Sequence, residues 1–186
     1  MFIRTPRLFL RPAWAEDARA LYRAIACWDV VKNLGRAPWP YSMTDAEAFV
    51  AGKALEPDEA SFLIFARTDG DPILVGSIGF GRWRSPDDEI ELGYWIARDH
   101  WGRGYATEAG RAVIELAFEG LRLQALSAGH FVDNPASGAV LRKLGFRPTG
   151  SARPTPCRAR GEDVMADTYT LARDERADRS PLAIAA

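Results

Sequence analysis

Two glycines flanking an arginine, Gly102-Arg103-Gly104, separate an apolar run ending at Ala97 from a helical pattern that begins near Ala106. Glycine has no Cβ, so it turns the chain sharply and lets a ligand oxygen come close to the main chain. The helix behind the turn, expected from about Ala106 to Glu119, leaves its first N–H groups without intrahelical acceptors and points the positive end of its dipole at the loop. Arg103 adds a full charge beside those donors. The chemistry that this suits is capture of an anion, a pyrophosphate above all. Two well-known phosphate loops are excluded: the dinucleotide fingerprint requires a third glycine where Thr107 stands, and a P-loop requires Gly-Lys followed by Ser or Thr. Without their surroundings, the two glycines equally suit an ordinary turn.

Other reactive residue types are sparse. Strand alternation puts Glu89, Glu91 and Gly93 on one face and Ile90, Leu92 and Tyr94 on the other. His100 and His130 flank aromatic residues without a paired nucleophile and acid, which reads as structural. Cys27 and Cys157 are far apart, and with only two histidines no metal-ligand spacing arises, so no metal is expected.

The elements that must position these residues follow from the same pattern reading. Leu8 to Arg11 is a short strand ended by Pro12, and Glu16 to Ala26 has the apolar spacing of a helix. Thr44, with Glu47 three residues on, forms a capping-box pattern for a second helix. Between the two helices a loop of Trp, Tyr and Pro carries Trp39 and Tyr41. Phe62 to Arg67 and Leu74 to Phe80 flank the turn Asp69-Gly70-Asp71-Pro72 in hairpin order. Ile90 to Ala97 is a third strand, after the loop Ser85-Pro86-Asp87-Asp88. Beyond the helix stop at Gly120, Leu123 to Val132 reads as a strand. Asn134 can cap a helix with Pro135 at its first position and Gly145 just past its end. Thr168 to Leu171 suits a last strand. This mixed order predicts an α+β domain built on one central, largely antiparallel, twisted sheet of about six to seven strands flanked by about four helices.

At 186 residues the chain suits one domain, expected over residues 1–172, with 173–186 as a flexible tail of charged and small residues. A formal net charge of −1 gives no electrostatic case for nucleic acid or an anionic membrane, so any phosphate binding must be local. Arg4, Pro6 and Arg7 precede any apolar run, unlike a signal peptide, and no stretch approaches membrane-spanning length. A cytoplasmic location is the expectation.

The run Trp101-Gly102-Arg103-Gly104-Tyr105-Ala106-Thr107-Glu108-Ala109 resembles motif A of the GNAT N-acetyltransferases, in the wording of the branch that acetylates ribosomal-protein N-termini at alanine or serine. Thr5-Pro6-Arg7-Leu8-Phe9-Leu10-Arg11-Pro12 is similar to that branch's opening strand, and Pro38-Trp39-Pro40-Tyr41-Ser42 to its loop before the second helix. Asn134-Pro135-Ala136-Ser137 followed by Leu144-Gly145-Phe146 resembles motif B. The resemblance runs from about Thr5 to Leu171.

This resemblance implies a GNAT domain that moves acetyl from acetyl-CoA, with no metal, to a primary amine by direct attack in a ternary complex. The pantetheine arm would lie against backbone of Trp95, Ile96 and Ala97, and the pyrophosphate on Gly102, Arg103, Gly104, Tyr105, Ala106 and Thr107. The Gln or Arg usual three residues before the first glycine is Asp99 here, which leaves Arg98 or Arg103 to supply charge. Glu91 matches the glutamate of the family's Glu-x-Gly-Tyr run and is the candidate base, directly or through water, with a solvated or ion-paired strand acid as the other reading. The family's usual thiolate-protonating tyrosine is Leu141 here, so Ser137 is the remaining donor, unless it only satisfies the helix start. Asn134 serves the pantetheine, the helix cap, or both, and Trp39 and Tyr41 line the acceptor pocket or pack on each other. A protein N-terminus is the favoured acceptor, since an α-amine of pKa about 8 sheds its proton more readily than lysine at about 10.4. A small amine such as an antibiotic or polyamine, with Asp87, Asp88 and Glu89 supplying acidity, and a non-catalytic acyl-CoA sensor are the alternatives. Monomer and homodimer both remain open.

Overall fold

Alternation along the extended segments builds a sheet with two unlike faces. In Ile73-Leu74-Val75-Gly76-Ser77-Ile78-Gly79-Phe80-Gly81, Ile78 and Phe80 point one way while Ser77 and Gly79 point the other. The computed structural model describes residues 1–52, 56–82 and 89–174. Its sheet contains β1 (Ile3–Arg4), β2 (Leu8–Arg11), β3 (Ala60–Ala66), β4 (Ile73–Gly81), β5 (Glu91–Ile96), β6 (Ala125–Phe131), β7 (Arg147–Cys157) and β8 (Glu162–Ala172). They lie in the order β1-β2-β3-β4-β5-β6-β8-β7. Every neighbouring pair is antiparallel except β5 and β6.

Among the described residues five α-helices cover the sheet, where about four were expected: α1 (Ala18–Ile25), α2 (Trp28–Val31), α3 (Met43–Ala51), α4 (Tyr105–Glu115) and α5 (Pro135–Leu144). The apolar face bearing Phe62, Ile64, Phe80, Leu92 and Leu126 packs against Val113, Ile114 and Phe118 from α4 and the turn behind it, and against Leu141 and Leu144 from α5. Phe80 and Phe118 are fully buried, each worth about 1.5–3 kcal/mol of burial. On the opposite face, Leu63, Phe65 and Trp95 pack against Leu21, Ile25, Val30, Val31 and Ala46 from α1, α2 and α3. Arg11 and Asp17 form a buried bidentate pair with both contacts at 2.7 Å, which fixes the turn into α1.

The architecture is the expected α+β sheet, with eight strands rather than six or seven. β1 was too short to read. β7 escaped because Pro148, Pro154 and Pro156 argue against a central strand, but β7 is an edge strand, where proline breaks few ladder bonds. The second helix starts earlier than expected: Ser42, not Thr44, is its N-cap, in a capping box with Asp45 rather than Glu47. Both pairs satisfy the same spacing rule, and it is Ser42 that keeps the extended backbone of an N-cap while Thr44 is already helical. α2 was not foreseen. The loop with Ser85, Pro86, Asp87 and Asp88 lies outside the described residues, as does the expected tail from residue 175, while Arg173 N–H is bonded to Gln124 O at 2.9 Å.

Candidate active site

The one parallel junction is where the sheet opens. A single residue pair, Glu91 and Ser127, registers β5 against β6, with Ser127 N–H donating to Ile90 O at 2.9 Å. On its other edge β5 is fully laddered to β4, and Ala97 N–H donates to Val75 O at 2.8 Å. Backbone groups alternate along an antiparallel strand, so those of Trp95 and Ala97 are turned to β4 while those of Leu92, Tyr94 and Ile96 are turned into the gap. The Ile96 carbonyl is already occupied by Trp101 Nε1 at 2.7 Å. A continuous cavity of about 1140 Å³ passes through this gap and joins the two faces of the sheet.

On the α4 and α5 face the cavity is bounded by the glycine loop. Gly102 and Gly104 adopt φ of +73° and +79°, a left-handed conformation that L side chains rarely take, and no atom lies within 4 Å of where a Gly102 Cβ would stand. The first helical bond of α4 runs from Glu108 N–H to Gly104 O, which leaves the N–H groups of Tyr105, Ala106 and Thr107 without helical acceptors. Tyr105, Ala106 and Thr107 all line the cavity, as do Gly102, Gly104 and Asn134. Arg103 does not: its guanidinium lies on Asp99 O at 3.1 Å, and Arg98 pairs with Asp29 at 3.3 Å. Ala97 also stands outside, its N–H held by β4, whereas Trp95 and Ile96 line the wall.

The loop is anchored by residues far away in sequence. Glu108, in the first turn of α4, accepts from Thr5 Oγ1 at 2.6 Å, Arg7 N–H at 2.9 Å and Arg7 Nε at 2.7 Å. Arg7 Nη1 donates in turn to Arg103 O at 2.9 Å, inside the loop itself. Burial pushes the Glu108 carboxyl up, but the hydrogen bonds from Thr5 and Arg7 outweigh it and hold the group below its usual range. The Arg7–Glu108 ion pair thus ties the loop to the segment between β1 and β2.

Glu91 and Ser137 lie on opposite sides of the gap and both line the cavity. Glu91 is 9% exposed, and its Oε2 is buried with no hydrogen-bond partner among the described residues. Buried polar atoms are nearly always satisfied, so an unpaired one at a cavity wall makes Glu91 a candidate for a ligand contact. Ser137 Oγ lies 2.8 Å from the Tyr94 hydroxyl, which also donates to Ser137 O at 3.1 Å. Burial, eased only in part by Ser137, pushes the Tyr94 phenol up to about 12 and keeps it protonated. Asn134 Oδ1 accepts from Ser137 N–H at 3.4 Å as the N-cap of α5, while lining the cavity as well. His100 lines the cavity near the loop, with Nδ1 buried and unpartnered among the described residues. Burial first, then Arg103, lowers its imidazole pKa against the opposite pull of Asp99. His130 is buried beneath Gly138, with Nδ1 2.8 Å from Phe131 O.

Past Glu91 the cavity continues over the other face, whose floor is small: Ser61, Ser77, Gly79, Gly93 and Gly129. Tyr41 lines it from the loop before α3, its phenol raised to about 12 by burial and then by Asp45. Trp39 does not reach the cavity; it packs edge-on against Trp28 at 5.4 Å, a partner that becomes available only with α2. The β7–β8 hairpin closes this end, tied down by Arg158 N–H to Gly35 O and by Arg160 Nε to Lys32 O, both 2.9 Å. Sequence reading missed Tyr94, Arg7 and the hairpin, and only Tyr94 carried a local signal, as the last residue of Glu-x-Gly-Tyr.

Among the described residues no helix is long and apolar enough to cross a membrane. Residues 7–147 match the family model described as acetyltransferase (GNAT) domain. The uncharacterized N-acetyltransferase YoaA of Bacillus subtilis is 28% identical over 151 residues, covering 81% of this chain and 85% of that protein. The ribosomal-protein-serine acetyltransferase of Escherichia coli is 32% identical over 85 residues, covering 46% and 45% of the two chains. A GNAT-family acetyltransferase from Bacillus anthracis superposes with a TM-score of 0.78 at 24% identity, covering 94% of this chain and 99% of that one.

Proposed function

Because the chain belongs to the GNAT acetyltransferase family and is an acetyl-CoA-dependent N-acetyltransferase, we propose that its acceptor is the free α-amino group of a peptide N-terminus. The observation that carries this reading is the unpartnered Glu91 Oε2 at the point where the cavity leaves the sheet gap and opens onto the small-residue trough. The trough leads away from a buried carboxylate toward the β7–β8 hairpin, as an extended chain requires. The E. coli relative, named for serine acetylation of a ribosomal protein, supports the same acceptor class.

The residues present fit the donor. The open surroundings of Gly102 and the three free N–H groups of Tyr105, Ala106 and Thr107 suit the pyrophosphate, with Arg7 holding the loop in place through Arg103 O. The backbone of Leu92, Tyr94 and Ile96, turned into the gap, suits the amides of the pantetheine arm, and Asn134 lies across from it. Acetyl-CoA supplies a thioester whose carbonyl carbon the amine attacks.

Glu91 takes a proton from the incoming ammonium, directly or through water, so that its nitrogen lone pair is free to form the N–C bond. As the C–S bond breaks, the nitrogen's second proton passes to the departing sulfur to give the CoA thiol, and the Ser137 hydroxyl donates a hydrogen bond to that sulfur while its charge develops. Tyr94 supports this step: its single O–H, which lies within reach of both Ser137 O and Ser137 Oγ, swings to Oγ as the sulfur departs, so that the oxygen accepts from Tyr94 and the serine proton is left for the sulfur. Base and donor approach the reacting carbon from opposite faces of β5. The two meet at the gap between β5 and β6.

Release of CoA thiol, followed with unblocked peptides, N-acetylated lysine peptides, polyamines and aminoglycosides, tests the acceptor. Turnover with unblocked peptides supports the reading; turnover confined to the small amines overturns it.

A further inference from the structure

At the acceptor end of the cavity the sequence alternation brings one charged side chain onto the floor. Phe131 on β6 pairs with Ala166 on β8, and Ala166 pairs with Arg153 on β7, so the three lie side by side on one face. That face is the one that carries Glu91, through its pairing with Ser127. Arg153 is half-buried and lines the cavity, and no hydrogen bond or ion pair reaches its guanidinium among the described residues. A cation on a cavity floor without a counter-charge is costly unless a ligand supplies one.

The neighbours sharpen the sign. Arg158 lines the same end, and Asp45, whose carboxylate also caps α3 through Ser42, is the acid that acts on it there. Strand spacings put the Arg153 and Glu91 Cα atoms on the order of 20 Å apart, and the reach of both side chains reduces this to roughly three or four extended residues.

We propose, resting on the peptide-acceptor reading above, that Arg153 determines specificity by receiving a carboxylate borne three or four residues after the acceptor amine, so that acidic N-termini are selected. The same charge disfavours polycations such as polyamines and aminoglycosides, because their second cation would lie against the Arg153 guanidinium.

The test uses three heptapeptides that begin Ser-Ala-Ala and carry Glu, Gln or Lys at the fourth position, with kcat/KM measured on the wild-type protein and on R153Q and R153E. The wild type should favour the Glu peptide over the Gln peptide by about tenfold, the size of one charge-assisted hydrogen bond. R153Q should bring the ratio close to one, and R153E should reverse it in favour of the Lys peptide. Equal kcat/KM for the Glu and Gln peptides in the wild type overturns this inference and leaves the peptide acceptor standing. Silence with all three peptides, beside turnover of a small amine, overturns the peptide acceptor and the inference together.

Discussion

Replacing Glu91 with glutamine tests the proton path and reports on the acceptor at the same time. The substitution keeps the volume of the side chain, and the neighbouring floor of Ser77 and Gly79 is small, so packing around it is little disturbed. At pH 7 an α-amine of pKa about 8 is roughly one-tenth free base, whereas a lysine at about 10.4 is below one-thousandth. With Glu91 present, the ammonium can be bound and deprotonated in place. Without it, only the free base reacts, and the general-base contribution of about 10²–10⁴-fold is lost. The rate of the variant should therefore climb about tenfold per pH unit up to about pH 8 and then level off, following the amine itself. A lysine acceptor would keep climbing for about two further units. The assay is kcat/KM from thiol release between pH 6 and 10, with acetyl-CoA binding followed by calorimetry to establish that the donor still loads. A variant within threefold of wild type across that range, or with a parallel pH profile, refutes Glu91 as the base.

Tyr94→Phe removes the hydroxyl that orients Ser137, and is expected to lower kcat by about tenfold or more, measured by single-turnover acetylation with acetyl-CoA saturating. Gly104→Ala must hold an L residue at φ +79°, a strain of roughly 1–2 kcal/mol, and should weaken acetyl-CoA binding by about tenfold in titration calorimetry. Asp17→Asn leaves Arg11 buried without its counter-charge and should cost about 3–5 kcal/mol in urea unfolding at pH 7. Burial raises the Asp17 pKa, but hydrogen bonds from Arg11 and Trp14 lower it further, so the stabilisation is complete above the unfolded pKa of about 3.9 and is lost as pH falls through the lower folded value. Wild type and variant should accordingly converge in stability in acid.

What the sequence made legible was local. The Gly102-Arg103-Gly104 turn, Asn134 with Pro135 at the head of α5, and Gly145 in its αL position beyond the last turn each depend on a few neighbouring residues, and each stands where the spacing placed it. The site's supports are not local. Arg7 and Glu108 are 101 positions apart, Tyr94 and Ser137 are 43 apart, and no pattern within a single element anticipates such contacts. Trp39 illustrates the same limit, because its partner Trp28 belongs to a four-residue helix too short for periodicity to register. Arg153 lay hidden in a segment whose prolines disguised a strand. Its face became visible only through the register with β8.

The break between β5 and β6 also has a mechanical meaning. Strands β1 to β5 form one laddered plate and β6, β8 and β7 another, and a single residue pair registers one against the other. An arm that bonds to Leu92, Tyr94 and Ile96 on one side and to Asn134 on the other would act as a rung between two plates, so that loading the donor completes the sheet. Affinity for the donor is then a share of the molecule's rigidity, and the apparent stability should rise with donor concentration as RT ln(1 + [L]/Kd). Amide exchange along β5 should slow with it, and a donor shortened to lose its pantetheine amides would bind the loop yet leave the plates free to move.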